Sequence, residues 1–209
     1  MIAVIDYGAG NLTSVKRALD YIGAPCVVTD DVSIIMNSEK AVFPGVGHAR
    51  DSMRILKQKS LDSAVKNFVS SGRPFLGICL GTQIILECSE EGDTPCLGLM
   101  PGKTVHFPED LKNKGLKIPH MGWNRIRKTK DHPLLKGVED GSFMYFVHSY
   151  YPAPDDKSAA VADTEYGIDF VSGMASRNIA AFQFHPEKSG EAGLSILRNF
   201  CGWGGTDAE

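Results

Sequence analysis

Basic charge is what this chain most plainly lacks: 22 Lys and Arg stand against 25 Asp and Glu, a formal net charge of -3. There is therefore no general attraction to a phosphate backbone. The densest basic run, Arg125-Ile126-Arg127-Lys128-Thr129-Lys130, is short and has no interleaved aromatic residue. It reads as the solvated end of a strand or turn, and nucleic acid is not an expected partner. Long hydrophobic runs are missing too. The opening Met1-Ile2-Ala3-Val4-Ile5-Asp6 is too short for a signal-peptide core, and no apolar stretch approaches membrane-spanning length. The five cysteines (Cys26, Cys79, Cys88, Cys96, Cys201) are odd in number and scattered, with no C-x-x-C pair. That argues against a disulfide framework and for a reducing, cytoplasmic setting with no membrane. His48, His106, His120 and His132 show no ligand spacing with cysteines or carboxylates, so no structural metal is expected. The Gly8-x-Gly10 turn has Thr13 where a dinucleotide fingerprint needs its third glycine.

What remains is an ordinary globular composition, 43% hydrophobic and 22% charged. With no internal repeat, low-complexity tract or linker, residues 1–209 are expected to form one domain. Ile2 to Ile5 is a short apolar run stopped by the Gly8-Ala9-Gly10 turn, after which Asn11 can cap a helix carrying Val15, Ala18, Leu19 and Ile22 on one face. Cys26-Val27-Val28 and Ala41-Val42-Phe43 read as further buried strands, and Leu61, Ala64, Val65, Phe68 and Val69 repeat at helical spacing. Pro74 to Cys79 reads as a strand feeding a helix that runs through Leu86. Strands alternating with helices imply an α/β fold with a mostly parallel sheet covered on both faces. The second half reads as antiparallel ribbon, in runs such as 103–107, 143–147, 159–162 and 179–184 separated by Gly, Pro and Asp turns. A last helix is expected over about Glu191 to Cys201, followed by a frayed tail from Gly202 to Glu209.

The sharpest local signal is Gly77-Ile78-Cys79-Leu80-Gly81, a G-x-nucleophile-x-G pattern at a strand-to-helix junction. A tight turn of this kind brings backbones so close that side chains at Gly77 and Gly81 would collide, and it pushes the nucleophile out above the sheet. The helix N-terminus favours the reactive thiolate there. A thiolate needs a base, and Gln183-Phe184-His185-Pro186-Glu187 supplies one with its orienter. In extended backbone His185 and Glu187 would point to the same side, with Pro186 stiffening the connection. Each half of the pattern taken alone is ambiguous: an isolated cysteine is more often core, and a His near a Glu is more often a surface pair. An acyl-transfer site also needs oxyanion donors, and Phe43-Pro44-Gly45-Val46-Gly47 bares backbone amides directly after a strand, with the Leu80 amide as the second donor. An ordinary turn would carry the same residues.

Taken in order, Pro44-Gly45-Val46-Gly47, Gly77-Ile78-Cys79-Leu80-Gly81-Thr82-Gln83 and Phe184-His185-Pro186-Glu187-Lys188-Ser189 resemble the class I (triad) glutamine amidotransferase family. Asp6 to Asn11, Pro119-His120-Met121-Gly122-Trp123-Asn124 and Tyr145 to Tyr150 are similar to the glutaminase subunits of imidazole glycerol phosphate synthase within it. The resemblance covers essentially the whole chain and implies a three-layer fold with neither metal nor organic cofactor. It implies that Cys79 attacks the carboxamide of glutamine, that His185 shuttles the proton to the leaving ammonia, and that Glu187 orients His185. It also implies that Gln83 and Glu91 grip the substrate's amino-acid end, with backbone around His148, Ser149 and Tyr150 helping. Finally it implies a heterodimer with a (β/α)8 barrel cyclase subunit, contacted by Asn11, Met121, Trp123, Tyr145 and Lys188. Met121 and Trp123 read equally well as core or ordinary surface apolar residues. A glutaminase of another pathway, a cysteine peptidase on a related elbow and a catalytically silent binding module remain rival readings.

Overall fold

The first strand already shows how the layers form. In a computed structural model of the chain, which describes residues 1–8 and 11–205, β1 (Ile2–Ile5) is buried along its whole length. Side chains alternate along a strand: Ile2 and Val4 enter one hydrophobic core, and Ala3 and Ile5 enter another. A strand buried on both faces needs cover on both sides, and the helices supply it. α1 (Leu12–Tyr21) packs into the first core with Val15, Ala18 and Leu19. β2 (Cys26–Thr29) follows, then α2 (Val32–Asn37), β3 (Lys40–Gly45), α3 (Ala49–Gln58) and α4 (Leu61–Ser70). α2, α3 and α4 fill the second core through Ile35, Met53, Leu56, Leu61, Val65 and Phe68. The Ala9-Gly10 part of the expected first turn lies outside the described residues.

β4 (Phe75–Cys79) delivers Cys79 into the short α5 (Leu80–Ile84), which ends before the expected Leu86. From there the chain leaves the sheet. β5 (Cys88–Ser89), β6 (Thr94–Pro95), β7 (Gly102–His106), β8 (His120–Arg125) and β9 (Arg127–Lys128) are followed by β10 (Phe143–His148), β11 (Tyr150–Pro154), β12 (Ala160–Glu165), β13 (Asp169–Ser176) and β14 (Ile179–Phe182). The main sheet runs β2-β1-β3-β4-β14-β13-β12-β9. It is parallel from β2 to β14 and antiparallel beyond. β8 and β10 form a separate antiparallel hairpin, and β11-β7-β5-β6 a small sheet of its own. The expected α/β architecture, a mostly parallel sheet between helices with added antiparallel ribbon, is therefore the one observed.

α6 (Gly190–Gly202) closes the first core with Ile196, Leu197 and Phe200. The start of the expected frayed tail is ordered: Gly202 ends α6 and Trp203 is buried against Phe200; Thr206 to Glu209 lie outside the described residues. Glu109–Lys114 is a 3-10 turn anchored by buried Leu111. Arg127 of the basic run is engaged by Asp169 at 3.3 Å and Asp163 at 3.8 Å. All five cysteines are free thiols. Among the described residues no helix is long and apolar enough to cross a membrane.

The glycines flanking Cys79 have the role anticipated for them. A Cβ on Gly81 would stand 2.1 Å from the Phe43 carbonyl oxygen, and one on Gly77 would stand 3.0 Å from the Gly81 backbone. Backbone cannot yield as a flexible side chain does. Gly81→Ala is accordingly expected to lose about 3 kcal/mol of stability, at the upper end for overpacking. A urea midpoint shift equivalent to less than ~1 kcal/mol would show that the turn relaxes freely.

Candidate active site

The decisive feature is the adjacency of β4 and β14. They are parallel neighbours with Ala181 opposite Gly77 and Phe182 opposite Ile78, so their C-terminal ends emerge side by side. Ligand sites of open α/β sheets gather at such ends. Residues a hundred positions apart thereby become companions: Cys79 ends β4, while Gln183 and His185 follow β14. Cys79 itself is held at φ 53 and ψ -105, a conformation L-residues rarely adopt, at the head of α5. Such strain persists only where the surroundings impose it.

His185 is buried. Its Nδ1 lies 2.8 Å from Glu187 Oε1, and both side chains are at most 1% exposed. Its Nε2 is buried without an aligned hydrogen bond. Burial alone would lower the imidazole pKa; Cys79 and Glu187, acting as hydrogen-bond acceptors and as charges, more than reverse that and raise it well above the ordinary value. The imidazolium is the favoured form. Glu187 reaches the ring by a route other than the one anticipated. His185 does not continue as extended strand; Pro186–Lys188 forms one turn of 3-10 helix with Pro at its first position, where proline's fixed φ is suited.

Asn11, expected as a helix cap, stands at the N-cap position of α1 but turns its side chain to another use. It makes no cap hydrogen bond with its side chain, and its Nδ2 donates to Glu187 Oε1 at 2.5 Å. Among the described residues Glu187 Oε2 has no partner, while Asn11 and His185 both hold Oε1. Asn11→Gly removes the amide without strain, because glycine accepts the φ of 74 found here. Hydrolysis measured from initial rates is expected to fall about tenfold as the imidazole loses its fixed orientation; an unchanged kcat would mean that Glu187 needs no such anchor.

Beside Cys79 lies a cavity of about 260 Å³, below the ~300–1,000 Å³ of sites for drug-sized ligands and on the scale of a single amino acid. Val46, Gly47 and Leu80 line it on one side; Gln83, Glu91, His148, Ser149 and Tyr150 line it on the other. Nearly all the expected oxyanion and substrate positions thus meet around one space. Gly45 is the exception, buried beneath Leu80: a Cβ there would stand 2.7 Å from Leu80 Cβ and 2.8 Å from the Tyr7 hydroxyl. Glu91 Oε2 accepts from the Ala49 amide at 2.6 Å, which fixes the carboxylate at the start of α3. The His148 side chain is engaged by His120, 3.0 Å away.

Four supporting residues escaped sequence reasoning. Gln183 is fully buried and donates Nε2 to Cys79 Sγ at 3.6 Å. Ser189 Oγ donates to the His185 carbonyl at 2.6 Å and accepts from the Tyr145 amide at 3.0 Å, pinning β10 to the His185 segment. Tyr7 stacks on Phe43 at 4.9 Å below Gly45. Pro119 joins the cavity wall. Their signal was proximity in sequence to the triad and turn motifs, which alone does not separate a supporting polar residue from a solvated one.

Met121 and Trp123 are 63% and 56% exposed on β8, which rules out a core role. Tyr145 packs across from Trp123 with ring centroids 6.0 Å apart, and the Lys188 ammonium lies 5.8 Å from the Tyr145 ring centre. Phe143, 49% exposed, extends the same apolar face. Among the described residues no group of three or more His, Cys, Asp or Glu side chains is placed to hold a metal ion.

Comparison with known proteins fits this geometry. Residues 3–202 match the family model for glutamine amidotransferase class-I. The chain is 48% identical to the imidazole glycerol phosphate synthase subunit HisH of Pseudomonas putida, over 98% of each sequence. It is 45% identical to that of Aromatoleum aromaticum, over 97% of this chain and 98% of the relative. Among solved structures it is similar to a glutamine amidotransferase (TM-score 0.74, 14% identity, 97% and 100% of the two chains). It is also similar to PurLQS from Thermotoga maritima (TM-score 0.73, 18% identity, 96% and 97%). At those identities the structural likeness concerns the fold alone.

Proposed function

Since the chain belongs to the class-I glutamine amidotransferases and, within them, to the HisH family of imidazole glycerol phosphate synthase subunits, we propose that Cys79, His185 and Glu187 hydrolyse glutamine and that the ammonia passes to a cyclase partner in histidine biosynthesis. The observation that carries this reading is a strained Cys79 at the wall of an amino-acid-sized cavity, with a buried imidazole-carboxylate pair behind it.

The Cys79 thiolate adds to the carboxamide carbon of glutamine. The resulting oxyanion is met by the Leu80 amide and by backbone N–H of the Val46-Gly47 segment, which line the cavity beside Cys79. The His185 imidazolium gives its proton to the departing nitrogen, the C–N bond breaks, and ammonia leaves a thioester on Cys79. Neutral His185 then takes a proton from water as its oxygen attacks the thioester, glutamate leaves, and the thiolate returns. Gln83 and Glu91 hold the amino-acid end. Glu91, already fixed at the start of α3, offers its second oxygen to the substrate ammonium.

Ammonia released into neutral water is mostly protonated and no longer nucleophilic, which favours sheltered transfer. The exposed Met121 and Trp123 face, with Tyr145 and Lys188 linking it to His185 through β10, supports docking of a (β/α)8 barrel cyclase there as a heterodimer. Ammonia release from glutamine, measured for the chain alone and with the co-purified cyclase and its ribonucleotide-derived substrate, tests the proposal. Slow release alone and a clear rise in the complex are expected; equal turnover in both would count against partner control, and none in either would count against the hydrolase itself.

A further inference from the structure

Between the exposed hairpin and the cavity, buried and half-buried polar atoms form a chain whose direction can be assigned throughout. The Tyr150 carbonyl can only accept, so His148 Nδ1, 2.8 Å away, carries that ring's proton. His148 Nε2 is then the acceptor for His120 Nδ1–H at 3.0 Å. That leaves His120 Nε2 to accept from Asn124 Nδ2 at 3.3 Å. Asn124 is oriented independently, since the same Nδ2 donates to the Glu165 carbonyl at 2.9 Å and Oδ1 accepts from the Arg125 amide at 2.7 Å. On the far side of the Tyr150 carbonyl, Gln83 Nε2 donates to it at 2.9 Å and to Gln183 Oε1 at 3.1 Å. Gln183 Nε2 completes the path to Cys79 Sγ.

The two imidazoles are enclosed. His120 lies against Tyr166 at 4.0 Å and Phe146 at 4.8 Å, and His148 packs on Phe107 and Phe170 at 5.2 and 5.3 Å. Burial pushes their pKa values down to about 4 and about 3, so each ring keeps one proton and the donor pattern is stable at neutral pH. Apolar side chains in the same space would stabilise the fold as well or better, because a buried polar pair only recovers its desolvation cost. A satisfied network does add specificity of position. Donors converge on the Tyr150 carbonyl from both sides, so no proton can travel the length of the chain; what it can transmit is geometry.

We propose that Asn124, His120, His148 and Gln183 are positioning residues that keep the glutamine cavity and Cys79 in register with β8, so that an occupant of the Met121-Trp123 face acts on the nucleophile through them. His120 and Asn124 are interleaved with Met121 and Trp123 on one strand, and any displacement of that strand moves both sets together. The inference rests on the functional reading above and names its route of partner control.

A contiguous path becomes a mechanism only when coupling is measured. The quantity to read is the ratio of glutamine hydrolysis in the complex, at saturating cyclase and cyclase substrate, to hydrolysis by the chain alone. A merely structural defect lowers both rates and leaves the ratio in place. His120→Phe, which keeps the ring packing and removes the donor, is expected to cut the ratio about tenfold, and Asn124→Ala about threefold, within the range of coupling effects. Asn124→Ala leaves the histidine pair intact and decides the matter if His120→Phe fails to fold. A wild-type ratio in the folded variants overturns the positioning role alone; a wild-type complex with no stimulation overturns partner control and this inference with it; and no hydrolysis by the wild type in either form overturns the functional reading.

Discussion

Cys79→Ala is expected to abolish glutamine-dependent synthesis by the complex while synthesis from free ammonium continues. The loss should reach about 10⁴-fold or more in glutamine hydrolysis, the scale seen when a covalent nucleophile is removed from a triad. The structure makes this a clean test. Cys79 is 5% exposed and Ala occupies less space at the same backbone, so the fold should tolerate the change. The φ of 53 at this position is already imposed on a residue with a Cβ. The partner's own chemistry is unaffected, because ammonium supplied from outside bypasses the hydrolase. Trapping the thioester from labelled glutamine by acid quench gives the complementary measurement, with label expected on the wild-type chain and none on Cys79→Ala. Retained hydrolysis in the variant would displace Cys79 as nucleophile.

His185→Ala comes second, with an expected fall of about 10³- to 10⁴-fold in thioester formation, since the acid for the leaving nitrogen is lost. The effect should exceed that of Asn11→Gly, which disturbs only the ring's orientation. A pH profile separates the two. The pair with Cys79 and Glu187 raises the His185 pKa above its ordinary value of ~6.5. The imidazolium therefore persists through neutrality, and hydrolysis should decline only on the alkaline side as the proton is lost. Stability follows the same sign: a group whose pKa is raised by folding contributes fully below its unfolded value and loses that contribution as pH rises through the folded one. The stability gap between wild type and His185→Ala should thus be widest below about pH 6 and narrow as the solution becomes alkaline. A gap that widens with pH would contradict a charged imidazole.

Much of this site could be read without coordinates because its demands are local. The glycines around Cys79 are required by contacts within a few residues and one crossing strand, as the 2.1 Å approach of a Gly81 Cβ to the Phe43 carbonyl oxygen shows. Pro186 before Glu187 is likewise a local device, though the turn it starts is 3-10 and not extended. Elements with weak local signals were harder to see. α3 carries Arg50, Asp51, Arg54 and Lys57 among its apolar residues, and β8 alternates buried and exposed positions with Gly122 in the middle. Neither announces itself by composition.

The sequence by itself determined that a Cys79 turn between glycines and an imidazole-carboxylate pair exist, and that the first half alternates strand and helix. Those properties depend on neighbours along the chain. Only the tertiary structure decided that Asn11 meets Glu187, that His148 meets His120, and that Gln183 reaches Cys79. Each is a meeting of side chains that the order of strands in the sheet brings together. The placing of β14 beside β4 is set by burial of two cores at once, a sum over many residues that no short stretch of sequence contains.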